Sequence, residues 1–448
     1  MSSLQIPMKS LEQRVSSIGK GIALLFFLIF SFNIVAAQEI PARADTQFAA
    51  QLKGLIDEAL RNNPSLKAAS HRIEQARASS RGVSSLDPPQ FSVEFYDAPV
   101  SSFPNPLKGQ MEIDYSLEQM IPFPGKLKAM SRAEKKRESM YGYDMKTLEA
   151  DIVKQIRQSY YEMYLIDRRI AINDQARQII ENIISIVRTQ YEVGTGKQAD
   201  ILRAQTELSS LQNKKTALVQ ERGSMESMIN ALRNRSVDTP ISAVPEILSQ
   251  ATEIKDQDAY AMAERSRPEL RSMQSEVAMK KAEKDAAIKE WLPDFMVRGM
   301  YKDMAADEDR WSLMFGITLN AAPWSYKKYS ALNERAKAGI KEADEKLNAM
   351  KNMVDSDIRD ALLKVRSFSD QVTLTKQTII PQAEQTLESA TALYRTGSQD
   401  FTMLLDAERM LLMTREDYQM AVMNYLSAIA DLERAAGTTI DNLVRGGE

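Results

Sequence analysis

The chain has 448 residues, a net charge of −3, no cysteine and a single histidine. The lack of cysteine excludes disulfides, thiolate metal sites and cysteine nucleophiles, and the lack of a basic excess argues against a nucleic-acid binder. With so few nucleophiles and metal ligands, we expect no enzyme activity, no resident metal and no cofactor. We expect His71, the histidine, to lie on a helix surface.

The first 37 residues have the pattern of an export signal. Basic residues precede an apolar run from Gly21 to Phe32, and Val35-Ala36-Ala37 supplies small residues for cleavage. An uncleaved anchor helix is the alternative. No later apolar stretch is long enough for a spanning helix, so we expect any membrane contact of the mature chain to use β-strands.

The rest of the sequence contains two similar halves. Pro64 and Gly194 are 130 residues apart, and Pro268 and Gly397 are 129 apart, with similar neighbours at each position. Each half predicts a helix, two strands, a very long helix, a glycine turn and another long helix. The predicted parts are a signal peptide (1–37), a first repeat (38–235, with a β-hairpin at 90–119 and a helical hairpin at 129–235), a linker (236–256), a second repeat (257–437, with a β-hairpin at 294–320 and a helical hairpin at 326–437) and a tail (438–448).

The strand predictions come from alternation of apolar and polar residues. The segments Gln110–Gln119 and Trp311–Asn320 both alternate with period two, and each has a shorter partner earlier in its half. Four strands cannot close a membrane barrel, which needs at least eight, so several chains must combine their strands, and three chains would supply twelve. The alternative is a small soluble sheet with one face on a core.

The polar side of these strands predicts the lining of such a barrel. If the apolar face meets lipid, three acidic residues point into the lumen and would favour cations: Glu112, Asp114 and Glu118. Three methionines lie on the same polar side, Met296, Met300 and Met314. Thioethers suit soft ions such as Cu(I), although flexible packing is the more common role of methionine.

The long helices have a coiled-coil pattern. Between Ile152 and Tyr191, nine of the twelve positions in two paired heptad registers are apolar or aromatic. The helix predicted from Ala129 to Tyr191 would run roughly 90–95 Å. A compact domain needs no helix of that length, so the pattern favours a duct or a spacer.

The order of these features resembles the TolC-like outer-membrane efflux proteins. The residues that carry the resemblance are the helix-entry motif Ala59–Leu66, the two Tyr-x-x-Gly turns, and the run from Gln119 to Lys126, which is similar to a junction in the branch serving metal-exporting pumps. The resemblance implies a mainly α-helical fold with a membrane β-barrel portion. It implies a homotrimer with a 12-stranded barrel in outer-membrane lipid and a periplasmic tunnel of antiparallel coiled-coil helices. It also implies two partners: a periplasmic adaptor and an inner-membrane pump of the resistance-nodulation-division type.

The same resemblance implies the position of a periplasmic gate. The helical hairpins turn at Gly194, Gly196 and Gly397, where family members meet the adaptor. Asp200 and Asp406 match acidic positions that ring the tunnel mouth, although acidic residues near a helix start are common for other reasons. Met403 and Gln399 stand where the better-known channel has an acidic residue and an arginine, so a salt-bridge latch of that kind is not expected.

The substrate stays open at this stage. The acidic lumen, the methionines and the metal-branch junction favour metal cations, whereas drugs or type I polypeptide secretion are alternatives within the family. In a different class, the chain could be a periplasmic coiled-coil scaffold or adaptor, which would need neither detergent nor apolar β-hairpins.

Overall fold

The computed structural model describes residues 39–96, 98–107, 112–247, 256–305, 307–320, 322–440 and 443. The predicted signal peptide lies outside these residues, as do part of the linker and most of the tail. Within the described residues the chain is mainly helical. The helices are α1 Glu39–Asn62, α2 Pro64–Gly82, α3 Lys126–Glu192, α4 Gln198–Leu232, α5 Asp256–Ser266, α6 Pro268–Lys289, α7 Tyr326–Leu374, α8 Ile380–Arg395 and α9 Phe401–Ala436, and the strands are β1 Gln90–Tyr96, β2 Glu112–Ile121, β3 Asp294–Met304 and β4 Arg310–Thr318.

The chain forms two compact units, and each unit draws on three separate stretches of sequence. The described parts of Met1–Arg61, Val153–Glu253 and Lys364–Ala430 form unit 1. Unit 2 takes its described residues from the intervening stretches, Asn62–Ile152, Ile254–Leu363 and Asp431–Glu448. The predicted strands all fall in unit 2, and both glycine turns fall in unit 1.

Unit 1 is a bundle whose core is a seam between long helices. Apolar side chains from α3, α4, α8 and α9 form one buried cluster. Its central members follow the heptad spacing of the sequence, and this spacing keeps an apolar face on each neighbour. The cluster includes Ile180 and Val187 of α3, Ala204 and Leu211 of α4, Tyr394 of α8, and Phe401 and Leu404 of α9.

The second long helical run is interrupted where α7 meets α8. A π-helical turn, Thr375–Ile379, connects the two helices without a loop. Pro381 follows as the second residue of α8. Proline has no N–H and its ring clashes with the carbonyl four residues earlier, so a widened turn at this point lets the helix continue. The counterpart helix, α3, has no proline at this point and runs unbroken for 67 residues.

Unit 2 contains one four-stranded antiparallel sheet in the order β1-β2-β3-β4. The two hairpins are joined through β2 and β3, where Glu112 pairs with Met304 and Ile121 pairs with Phe295. All odd-numbered residues of β2 and β3 therefore share one face and all even-numbered residues share the other. Strands β1 and β4 are the two edges of this sheet.

A buried ionic network holds the helices of unit 2 together. Arg434 near the end of α9 bonds Glu269 of α6, and its Nε lies 2.8 Å from Oδ1 of Asp151 on α3. Arg267 lies 2.8 Å from Asp357 of α7 and 3.4 Å from Glu269. Four helices thus meet at one set of charges. None of the described helices combines the length and apolar character that a membrane-spanning helix requires.

Candidate functional site

The two helical hairpins of unit 1 turn through the same backbone motif. The N–H of Thr195 bonds the carbonyl of Gln190 at 2.9 Å, and the N–H of Ser398 bonds the carbonyl of Leu393 at 3.0 Å. Each bond spans five residues and closes a Schellman motif. The residue before each donor, Gly194 or Gly397, has a positive φ of 78° or 73°, which glycine adopts without strain. These two turns are the tips of the hairpins.

The first tip also depends on Gly196 and Gln190. A Cβ on Gly196 would stand 2.8 Å from the backbone nitrogen of Tyr191, too close for any other residue. The side-chain amide of Gln190 donates to the carbonyl of Arg395 at 3.1 Å, which connects the first tip to the second. Gln190 was not identified from the sequence, because one glutamine beside a turn gives no distinctive signal.

Asp200 is the third residue of α4 and is buried, with 5% of its surface exposed. Burial, and after it the charge of Asp400, raises the pKa of Asp200, while Lys197 and Arg203 act in the opposite direction. Asp200 and Asp400 in turn raise the pKa of Tyr394, whose burial is the larger cause. The structure therefore places Asp200 inside a protomer, beside a second acidic residue that the sequence analysis did not single out.

Asp406 occupies a different position. It is exposed in the second turn of α9 and lines an open groove of about 600 Å³ between α8 and α9, together with Gln385, Met403 and Met410. Asp200 follows Gly194 by six residues, whereas Asp406 follows Gly397 by nine. The two carboxylates are thus not at equivalent positions of the two hairpins. Their role in a gate remains a prediction.

Glu408, a buried carboxylate in unit 1 that adds to Asp200 and Asp406, was not identified from the sequence. Glu408 of α9 is 1% exposed, and its Oε2 has no hydrogen-bond partner. Burial raises the pKa of Glu408 to about 7, with a further contribution from Glu207, and Arg409 and Lys214 oppose the shift. The signal in the sequence was a glutamate directly after Ala407, between the seam residues Leu404 and Leu411.

The polar face of the sheet in unit 2 carries the three predicted lumen residues, and they are paired with cations. Lys302 of β3 bonds both Glu112 and Asp114, the latter at 3.2 Å. Arg298 bonds Glu118, with its Nε 2.7 Å from Oε2. From the sequence these acidic residues were considered alone, and the cations that bond them come from the other hairpin. A position in a lumen remains a prediction for these residues.

No group of three or more histidine, cysteine, aspartate or glutamate side chains in the described part of the chain is arranged to hold a metal ion. Within the described residues, the predicted groups that could interact with cations are Asp200 and Asp406 near the hairpin tips and the acidic residues on the polar face of the sheet.

Comparisons with known proteins identify one family. The sequence model of a family described as "Outer membrane efflux protein" matches the chain twice, at residues 55–234 and 259–438. The cation efflux system protein CusC of Escherichia coli (strain K12) is 24% identical over 399 residues, which cover 82% of each protein. The probable outer membrane lipoprotein SilC of Salmonella typhimurium is 22% identical over 82% of this chain and 81% of its own. The solved structure of the outer-membrane channel OprN superposes with a TM-score of 0.75 at 18% identity, covering 87% of this chain and 91% of that one.

Proposed function

Because the chain belongs to the outer membrane efflux protein family, we propose that it is the outer-membrane channel of a tripartite efflux system. In this proposal three copies combine their sheets into a 12-stranded barrel, and their long helices form a periplasmic tunnel. A periplasmic adaptor meets the hairpin tips, and an inner-membrane pump, most simply of the resistance-nodulation-division type, drives the substrate. The protein conducts and performs no chemistry.

The observation that carries this proposal is the apolar face of the sheet. Trp311 and Phe315 of β4 are 79% and 75% exposed, and Phe91, Leu117 and Leu313 are exposed on the same face of the sheet. Large exposed apolar patches mark interaction surfaces, and the sheet also has two edges with unpaired backbone groups. Lipid would cover the face, and neighbouring copies would pair both edges, which a membrane requires.

The repeat arrangement follows from the same proposal. Two family matches in one chain support a duplication, with halves at about 38–235 and 257–437 and a linker between them. Residues 1–37 would then direct export and be removed. Each half contributes one β-hairpin to the barrel and one helical hairpin to the tunnel.

The mass of the extracted protein tests the assembly. We expect isolated outer membranes to yield a detergent-dependent particle of three protomers, measured by light scattering corrected for bound detergent. A monodisperse monomer that stays soluble without detergent would refute the channel. It would instead favour the periplasmic scaffold, which has no need for an exposed apolar sheet.

We propose metal cations as the substrate class. CusC is named a cation efflux system protein, and this chain aligns with it over most of both lengths. Drugs and secreted polypeptides are the alternatives, because in tripartite systems the pump selects the substrate. Survival of a deletion strain in metal salts, compared with survival in a panel of drugs, separates these possibilities.

The tip carboxylates provide a test of gating. We expect Asp406→Ala to raise the conductance of the purified channel and to weaken block by trivalent cations, because three exposed carboxylates around a narrow bore attract cations. Asp200→Ala should change block less, since Asp200 is buried within the protomer. Asp370→Ala, at an exposed position on α7, is the control. Conductance and block that do not change in the Asp406 variant would exclude this gate.

A further inference from the structure

Five methionines lie on the even-numbered face of the sheet, among the paired charges. They are Met120 of β2, Met296, Met300 and Met304 of β3, and Met314 of β4. The opposite, odd-numbered face carries the exposed aromatic and aliphatic residues. Methionine therefore sits with the charged residues and apart from the lipid-type surface. Simple hydrophobic patterning does not produce this arrangement.

Four of the five sulfur-bearing side chains occupy neighbouring positions. Met120 pairs directly with Met296 across β2 and β3. Met314 pairs with Arg298, which places it diagonally between Met296 and Met300. Directly opposed residues have Cβ atoms about 4.5–5.5 Å apart, and diagonal ones about 7–8 Å, within the reach of long side chains. We call Met120, Met296, Met314 and Met300 the methionine track.

A glycine in β4 leaves room for this arrangement. Gly316 pairs with Met296, and a Cβ on Gly316 would stand 2.6 Å from the terminal methyl of Met296. The side chain of Met296 thus lies over the glycine, on the strand that carries Met314. Any larger residue at position 316 would displace it.

Two further observations argue against packing as the only role of these side chains. Met120 and Met314 are 37% and 43% exposed within the protomer, so they do not fill a core. Three acidic residues of the same face, Glu112, Asp114 and Glu118, are already bonded to Lys302 and Arg298, whereas Glu94 of the edge strand β1 is exposed. The thioethers are the soft ligands on this face, and such ligands select soft ions over hard ones.

We propose that the methionine track binds soft monovalent cations, such as Ag(I) and Cu(I), through pairs of thioether sulfurs. The pair Met120–Met296 shares Met296 with the diagonal pair Met296–Met314, and Met314 also neighbours Met300. An ion could therefore pass from one sulfur pair to the next. The proposal rests on the proposed function in one respect: transit along the track requires this face to line the channel. Binding itself requires only the sheet.

Silver binding by the purified trimer in detergent tests the track. Isothermal titration with silver nitrate in chloride-free buffer is compared for the native protein and a variant in which all four track methionines are leucine. Leucine keeps the volume and apolar character of methionine but removes the sulfur, so folding should be little affected. We expect the apparent affinity for Ag(I) to fall at least about tenfold. Ca²⁺, which prefers oxygen ligands, should not compete in the native protein.

A second variant provides the matched control. Four exposed methionines of the helices are changed to leucine instead, namely Met130 of α3, Met228 of α4, Met353 of α7 and Met413 of α9. This variant should bind silver as the native protein does. The proposal is overturned if the strand variant retains native silver affinity, or if the helix variant loses as much as the strand variant. Potassium conductance in planar bilayers is measured on all three proteins. Its absence from the native protein would refute the channel, while a loss of silver affinity confined to the strand variant would still support the site.

Discussion

Replacing Arg434 with alanine is expected to lower the free energy of unfolding by about 3–5 kcal/mol. The guanidinium of Arg434 is buried between Glu269 and Asp151. Burial alone would raise the pKa of Glu269, but the bond from Arg434 outweighs burial and holds that pKa below its ordinary value. Without Arg434, a buried carboxylate on α6 loses its main partner and keeps Arg267, at 3.4 Å, as a weaker ionic partner. Urea or thermal unfolding followed by circular dichroism in detergent measures the loss.

An exposed ion pair in the same unit is the control. Arg77 lies 2.8 Å from Glu138, but its side chain is 62% exposed. Exposed pairs contribute about 0–1 kcal/mol, so Arg77→Ala should change little. Adding Glu269→Gln to Arg434→Ala should recover part of the loss, because it removes the unpaired charge. Equal losses in the Arg434 and Arg77 variants would show that the buried network does not stabilise unit 2.

The strands and helices of the fold could be predicted because their signals are local. Alternation with period two occurs within ten residues. The Tyr-x-x-Gly motifs predict two hairpin tips, and both tips are Schellman motifs in the structure. The pairing of β2 with β3 could not be predicted in this way. Glu118 and Arg298 are 180 residues apart, and no local pattern sets their register. The cationic partners of the acidic residues on the polar face therefore could not be predicted from one strand.

The burial of Asp200 near the first hairpin tip also could not be predicted from the sequence. Asp200 follows a glycine turn at the start of a helix, a position where an acidic residue is usually exposed and favoured by the helix dipole. Asp200 is instead buried and lies close enough to Asp400 and Tyr394 of the second hairpin to interact with them electrostatically, and these residues are about 200 positions away in the chain.

The second large expected effect is a fall in the free energy of unfolding as the pH rises, caused by Glu408. The folded protein raises the pKa of this carboxyl to about 7 from an ordinary 4.5. Between these two values the folded state holds a proton that the unfolded state has released, so the free energy of unfolding falls as pH rises. The contribution is fully present below about pH 4.5 and is lost by pH 7–8. One pKa unit corresponds to 1.36 kcal/mol, so the total decline is about 3 kcal/mol.

Glu408→Gln should remove this decline, because glutamine cannot ionise. At pH 8 we expect the variant to be more stable than the native protein by about 2–3 kcal/mol, and at pH 5 to be equal or slightly weaker. The difference arises in the seam between α4 and α9, where ionised Glu408 would lie next to Glu207 with Arg409 and Lys214 as the opposing charges. Thermal unfolding at a series of pH values measures it.

Two variants separate this effect from general carboxylate titration. Glu207→Gln removes a neighbouring negative charge, so it should lower the pKa of Glu408 and make the decline smaller without abolishing it. Glu388→Gln changes an exposed carboxyl on α8 and should leave the pH dependence intact. If the Glu408 variant kept the native decline, another group would have to be the one that binds the proton. If it lost the decline, the hairpins of unit 1 would pack more tightly at mildly acidic pH than at pH 8, because a single seam carboxyl takes up a proton there.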